Sequence, residues 1–356
     1  MLRLPQFNFV HARTLVEAAS VLSGEGAGEG TVEGGLVRLV AGGTDLWPNM
    51  KRRHQQASTV VSLMGIPGLS GIDVNGEIHI GATTLLSDVV AHPAVRERYP
   101  GFAAAVQSIS SPPLRNMGTI GGNLCVDTRC TYYNQTEEWR RSIDYCMKAE
   151  GEICWVATSS PRCWAHTATD SAPMACALGA KVKLVSKKDG ERVIPIDDLY
   201  RDDGIQYLAK RPDEILTGLY LPADATADRC RSAFWKLRRR GSIDFAVLSA
   251  AAAVWLAPDG TVEKARIYLG AVASRPLAAQ ESADFLIGKK LDRETIAQAA
   301  KLTRKVATPM DNTDFQTQWR GTMVQRYTEA ALCEVAGLDP GRLAPKHAGT
   351  VLPVVE

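Results

Sequence analysis

Val40-Ala41-Gly42-Gly43-Thr44-Asp45-Leu46 runs the end of a short apolar segment straight into a glycine pair. Residues 36–41 read as a strand. A turn without Cβ atoms offers a row of backbone N–H groups that a ligand can approach closely. Such nests bind phosphate or pyrophosphate, and Thr44 adds a hydroxyl donor. The stretch 115–124 contains Gly118 and a second such turn, Thr119-Ile120-Gly121-Gly122-Asn123, which repeats the chemistry. Two turns of this kind can grip one dinucleotide from both sides. Either turn taken singly is equally explained as a tight bend that needs positive φ.

Outward from these turns the chain alternates helices and strands. Residues 12–22 carry Leu15, Ala18, Ala19 and Leu22 at helical spacing. Residues 24–30 have the composition of a loop; they follow a helix and do not fit G-x-G-x-x-G. Residues 24–34 look like a local insertion without an evident purpose. Strands are expected at 59–63, 77–81, 181–186 and 265–273, and helices at 85–91, 101–108, 171–178, 293–306 and 316–335. Residues 232–257 read as a strand with a basic run, followed by an apolar helix or strand at 245–256. Residues 339–356 read as an extended tail. The element order is mixed α+β.

Composition excludes several classes. The 356 residues are 45% hydrophobic and 22% charged, which is ordinary for a globular chain. A net charge of +2 gives no support to a nucleic-acid or membrane-surface partner. No apolar run approaches the ~18 residues of a membrane span. The N-terminus lacks a signal-peptide pattern, so the cytoplasm is expected.

The chain has 8 cysteines. Cys125, Cys130, Cys146, Cys154, Cys163 and Cys176 fall close together, and Cys230 and Cys333 stand apart. Residues 125–166 show no regular period, so something other than a hydrophobic core is expected to hold them. Disulfides are disfavoured in a reducing compartment. Zinc sites usually show a tight C-x₂₋₄-C pair, and Cys125/Cys130 is the only near approach. An iron–sulfur cluster takes four thiolates and tolerates irregular spacing.

The ordered motifs resemble the FAD-binding medium subunit of the molybdenum hydroxylases, the xanthine dehydrogenase and carbon monoxide dehydrogenase family. Besides the two turns, Thr169-Asp170-Ser171-Ala172-Pro173, Phe234-Trp235-Lys236-Leu237-Arg238-Arg239 and the stretch 267–276 carry the similarity, which covers residues 1–338. It implies a two-part FAD-binding domain, residues 1–62 and 63–222, and a C-terminal α+β domain with an antiparallel sheet, residues 223–338. It implies FAD contacts from Val40, Ala41, Gly42, Gly43, Thr44 and Asp45, and from Gly118, Thr119, Gly121, Gly122 and Asn123. Asp170, Leu216 and Lys236 complete the implied set. Asp170 is also explained as a helix N-cap, and Lys236 as part of a solvated basic run, 236–240.

The loop from Cys130 through Cys146, Cys154 and Cys163 resembles the [4Fe–4S] insertion that marks flavin subunits of the 4-hydroxybenzoyl-CoA reductase type. That resemblance implies those four cysteines as ligands, with Cys125 packed near FAD and the one alternative to Cys130. Cys176, Cys230 and Cys333 are expected to be structural, and His166 uninvolved. The implied partners are a large molybdenum-cofactor (molybdopterin) subunit, a small [2Fe–2S] subunit and ferredoxin as donor, in a dimer of heterotrimers. No side chain is expected to act as an acid or base on substrate.

Overall fold

Three sheets follow one another along the chain in the computed structural model, which describes residues 2–24 and 36–341. The expected glycine-rich loop after Gly24 and the tail after Gly341 lie outside the described residues. Strands β1 (Asn8–His11), β2 (Val37–Val40) and β3 (Thr59–Ser62) form a parallel sheet in the order β1-β3-β2. Central β3 is buried along its whole length. The helix Leu15–Leu22, capped by the Thr14 hydroxyl, places Ala18, Ala19 and Val21 in one apolar cluster with Val61 of β3. The Thr14 cap explains why this helix starts inside the expected 12–22.

Strands β4 (Ile72–Asn75), β5 (Glu77–Gly81), β6 (Lys181–Ser186), β7 (Gly190–Pro195) and β8 (Ile215–Leu221) form an antiparallel sheet, order β4-β5-β8-β6-β7. The chain between β5 and β6 supplies the helices Leu86–Ala91, Pro100–Gln107, Ile120–Leu124 and Ser171–Leu178, and the cysteine loop. All residues of Ser171–Leu178 are buried. It ends at Gly179, whose φ of 79° is the left-handed cap a glycine accommodates.

Strands β9 (Cys230–Leu237), β10 (Leu248–Leu256), β11 (Val262–Gly270) and β12 (Leu277–Ala278) make the third sheet, antiparallel in the order β12-β11-β10-β9. The helices Gln280–Leu286, Arg293–Val306 and Thr317–Ala336 back one face, and Ser171–Leu178 packs on the other. That sandwich resolves the 245–256 ambiguity. The run Ala250–Ala253 is a strand buried on both faces, its small side chains letting helices approach from either side. Strands β4 and β7 escape the sequence reading because they are short on apolar residues and largely exposed. The architecture is the expected α+β one, a two-part binding unit followed by an antiparallel, helix-backed domain.

Candidate cofactor site

The first glycine turn leaves the carboxyl end of β2, where parallel sheets receive ligands. A Cβ on Gly42 would sit 1.6 Å from the Met117 carbonyl oxygen. Gly43 has φ +69°, and a Cβ there would lie 2.0 Å from the Trp47 indole nitrogen. A Cβ on Gly121 would fall 2.7 Å from the Ala82 carbonyl oxygen. These three glycines are therefore demanded by the protein itself: the two turns pack directly on each other and on the end of β5. Gly122 differs, because a Cβ there meets only the Thr119 hydroxyl, at 3.0 Å. That hydroxyl caps the helix Ile120–Leu124 by accepting from Gly122 N–H, 3.1 Å.

Between the turns lies a cleft of about 520 Å³, within the usual range of small-molecule sites. Val40, Ala41, Gly42, Gly43, Thr44 and Asp45 line one side. Gly118, Thr119, Gly121, Gly122 and Asn123 line the other. Asp170 and, on β8, Leu216 complete it. Lys236 does not line the cleft. It reaches the site through Asp170, whose Oδ2 lies 2.6 Å from Lys236 Nζ, and it also donates to the Ser108 carbonyl at 3.0 Å.

Both alternative readings of this pair fail. Lys236 is buried, so it is no part of a solvated run, although Arg239 and Arg240 are exposed as that reading expects. Asp170 occupies the N-cap position of Ser171–Leu178 but makes no side-chain cap bond. That helix start is instead tied by Asn123, whose Oδ1 accepts from Thr169 Oγ1 at 3.0 Å and Ser171 Oγ at 2.6 Å. Burial pushes the Asp170 carboxyl up and the Lys236 ammonium down, and each opposes the other's shift. Asp170 Oδ1 is buried without a hydrogen-bond partner on the wall of the cleft. A buried carboxylate oxygen of this kind is costly unless a ligand donates to it.

Beside Asp45 the structure places charges that sequence reasoning missed: Arg129, Asp127 and Lys148. Asp45 accepts from Asn49 Nδ2 at 2.9 Å and is ion-paired with Arg129. Arg129 in turn stands over the Phe245 ring, 4.6 Å from its centroid. Asp127 lines the cleft, accepts from Gln55 at 3.0 Å and pairs with Lys148 at 2.7 Å. Burial raises the Asp127 carboxyl, but Lys148 and Arg129 outweigh it and hold the group below its ordinary range. Cys125, which directly follows the second turn, also lines the cleft.

Cys130, Cys146, Cys154 and Cys163 line one separate cavity, of about 10 Å³, and Cys125 is not among its walls. The Cys163 sulfur accepts from the Ala165 N–H at 3.4 Å. The N–H groups of Tyr133, Ala149 and Ala157 close turns on the carbonyls of Cys130, Cys146 and Cys154, at 3.1, 2.8 and 3.0 Å. Asp144 and Tyr145, both with φ +57°, turn the chain sharply before Cys146. A Cβ on Gly204 would lie 2.7 Å from the Cys163 sulfur. All eight cysteines are free, so the disulfide reading has no pair to rest on. Among the described residues no group of three or more His, Cys, Asp or Glu is disposed to hold a metal ion. Cys176 and Cys230 lie in the core around the second sheet and Cys333 in that behind the third. His166 is buried against the Thr167 carbonyl at 2.9 Å, away from the cysteine cavity.

The loop is anchored by polar clamps around a small apolar cluster of its own. Tyr133 donates to the His54 carbonyl, Arg140 to the Arg52 carbonyl at 3.1 Å, and Asn312 to the Trp164 carbonyl at 2.6 Å.

Parallel sheet, antiparallel sheet and helix-backed sheet around one such cleft define a flavoprotein subunit of the carbon monoxide dehydrogenase type. The structure superposes on that of carbon monoxide dehydrogenase from Hydrogenophaga pseudoflava lacking the Mo-pyranopterin moiety, with a TM-score of 0.74 at 24% identity over 94% of this chain and 98% of that one. Residues 5–224 match the FAD binding domain in molybdopterin dehydrogenase, and residues 232–335 the CO dehydrogenase flavoprotein C-terminal domain. The chain belongs to this family of FAD-binding oxidoreductase subunits. It is 31% identical to the aldehyde oxidoreductase FAD-binding subunit of Escherichia coli over 67% of this chain and 76% of that one. It is 27% identical to the carbon monoxide dehydrogenase medium chain of H. pseudoflava over 93% and 99%.

Proposed function

We propose that this chain is the electron-transfer subunit of a molybdenum oxidoreductase complex, with FAD in the cleft and a [4Fe–4S] cluster among Cys130, Cys146, Cys154 and Cys163. For the flavin, the supporting observation is the buried, unpartnered Asp170 Oδ1 on the cleft wall, an acceptor waiting for a donor. The main chain of both turns shapes the cleft, Gly122 leaves its surface open, and Lys236 fixes the Asp170 carboxylate. Bound FAD supplies the two-electron and one-electron chemistry.

For the cluster, the observation that carries the reading is four thiols lining one cavity. Donor type and number fit a four-iron cluster, and hydrogen bonds to sulfur are one of the means by which proteins set its potential. The cavity is smaller than such a cluster, so binding moves the thiols apart.

In the finer reading, electrons come from a ferredoxin through the cluster and FAD to [2Fe–2S] centres on a small subunit. A large molybdenum-cofactor subunit then reduces an aromatic acyl-CoA, as in 4-hydroxybenzoyl-CoA reductase. The cysteine loop is its support. A second reading, outward flow in an ordinary hydroxylase or dehydrogenase, is favoured by the names of the relatives, which include a carbon monoxide dehydrogenase medium chain. Iron, acid-labile sulfide and flavin on the anaerobically purified chain test the proposal. About four irons and four sulfides per FAD are expected. Flavin without iron would remove the cluster and leave the second reading.

A further inference from the structure

One ion pair links the wall of the cleft to the wall of the cysteine cavity. Asp127 lines the first and Lys148 lines the second, 2.7 Å apart, with side chains 7% and 6% exposed. The ammonium is fully engaged: besides Asp127 Oδ1 it donates to Thr128 Oγ1 at 2.9 Å and the Gly204 carbonyl at 2.6 Å. Three donors meet three acceptors, so its position is fixed. Among the described residues, Lys148 is the only charged side chain lining the cysteine cavity, whose other walls are thiol, thioether, aromatic or aliphatic. In such surroundings a fixed charge acts with little screening. The pair is thus a dipole along the line between the two sites, with its positive end at the thiols and its negative end at the cleft.

We propose that the Asp127–Lys148 pair sets the relative reduction potentials of the two cofactors, raising that of the cluster and lowering that of the flavin. This rests on the two-cofactor reading above. The exchange it biases moves one electron at a time: one centre is oxidised by one electron as the other is reduced by one. The external one-electron donor of that reading restores the first. An added electron is stabilised beside the ammonium and destabilised beside the carboxylate, so the pair brings the two potentials together. Sequence alone shows none of this, because Asp127, Lys148 and Gly204 come from three separate stretches.

The test uses the chain purified anaerobically with both cofactors. The potential of the flavin is read optically and that of the cluster by electron paramagnetic resonance. Asp127→Asn/Lys148→Met removes the dipole and leaves the net charge unchanged. Its flavin-minus-cluster difference is expected to grow by at least about tenfold in the exchange equilibrium, which is 59 mV for one electron. Asp127→Asn alone should raise the flavin potential more than the cluster's, Lys148→Met should lower the cluster's more than the flavin's, and Lys148→Arg should resemble the parent. An unchanged difference in the iron-loaded double variant would overturn the proposal and leave the cofactor reading standing. An iron-free parent chain would overturn the cluster reading and the Lys148 half with it. The flavin half would then be decided by Asp127→Asn, where an unmoved flavin potential refutes it. If Lys148→Met loses its iron, the double variant, which strands no buried carboxylate, and Lys148→Arg carry the measurement.

Discussion

The cleft takes its walls from main chain held by hydrogen-bonded sheets, whereas the cysteine cavity takes its walls from side chains on a loop of low regularity. In the cleft, glycines are needed where backbone meets backbone, as at Gly42 against Met117. In the loop, the clamps are polar bonds to carbonyls: Tyr133 and Arg140 of the loop donate to His54 and Arg52 outside it, and Asn312 from outside donates to Trp164 of the loop. The first kind of site exists before its ligand arrives. The second is positioned by the fold but would have to open to take the proposed cluster. A change in the cleft should therefore damage fold and ligand together, and a change among the thiols should remove the cargo alone.

The sharpest test of that contrast is Gly42→Ala. The new methyl collides with a backbone carbonyl that has nowhere to go, so a loss of at least about 4 kcal/mol is expected, at the exceptional end for one substitution. Thermal unfolding and flavin absorbance should show a weakened protein without FAD. Next, Asp170→Ala leaves Lys236 buried and unpaired, which costs about 3 kcal/mol. Denaturant titration should show most of this recovered in Asp170→Ala/Lys236→Met, while FAD binding stays weak because the acceptor is gone.

Acid separates the regions by another route. His166 exchanges backbone hydrogen bonds with Arg129 at the base of the cysteine loop, 2.8 Å in both directions. Burial is the main cause that pushes its imidazole down to about 4. The unfolded chain, with an ordinary histidine near 6.5, takes up the proton first. Stability is therefore complete above pH 6.5 and is lost as pH falls from there toward 4, by up to about 3 kcal/mol. Unfolding measured across this window should show the decline, and His166→Gln should flatten it.

Gly122→Ala is expected to change stability by less than about 1 kcal/mol, since only the Thr119 hydroxyl is near and the position is helical. Its methyl enters the cleft, so FAD affinity should fall about tenfold, or 1.4 kcal/mol, in a flavin titration. Full affinity in this variant would show that the ligand does not approach the second turn. Comparable in stability is Cys146→Ser, expected to cost about 1 kcal/mol in the iron-free chain because a hydroxyl replaces a buried thiol. Iron analysis should nonetheless show the cluster lost and FAD retained. Loss of both would erase the contrast between the regions.

Much of the cleft was legible because its determinants are local. A strand running into Gly-Gly-Thr-Asp, and a Thr followed by Gly-Gly-Asn at a helix start, are short patterns with a backbone reason behind them. The helices 171–178 and 293–306 were equally legible from periodicity, and both fall on those bounds. The Asp170–Lys236 pair was visible as two motifs but not as one contact, since its members lie 66 positions apart. Arg129, Asp127 and Lys148 gave no signal beyond charge inside a cysteine-rich stretch.

What the amino-acid order decided by itself is the set of local conformations: which turns lack Cβ atoms, which runs are apolar on one face, where thiols are concentrated. Those follow from sterics and periodicity within a few residues. Tertiary structure alone decided that Gly42 must be bare because Met117 stands against it, that Lys236 serves Asp170 instead of solvent, and that Lys148 and Asp127 separate the two cavities. Each depends on which distant groups share a low-dielectric space, and contact and desolvation are set by packing across the whole chain.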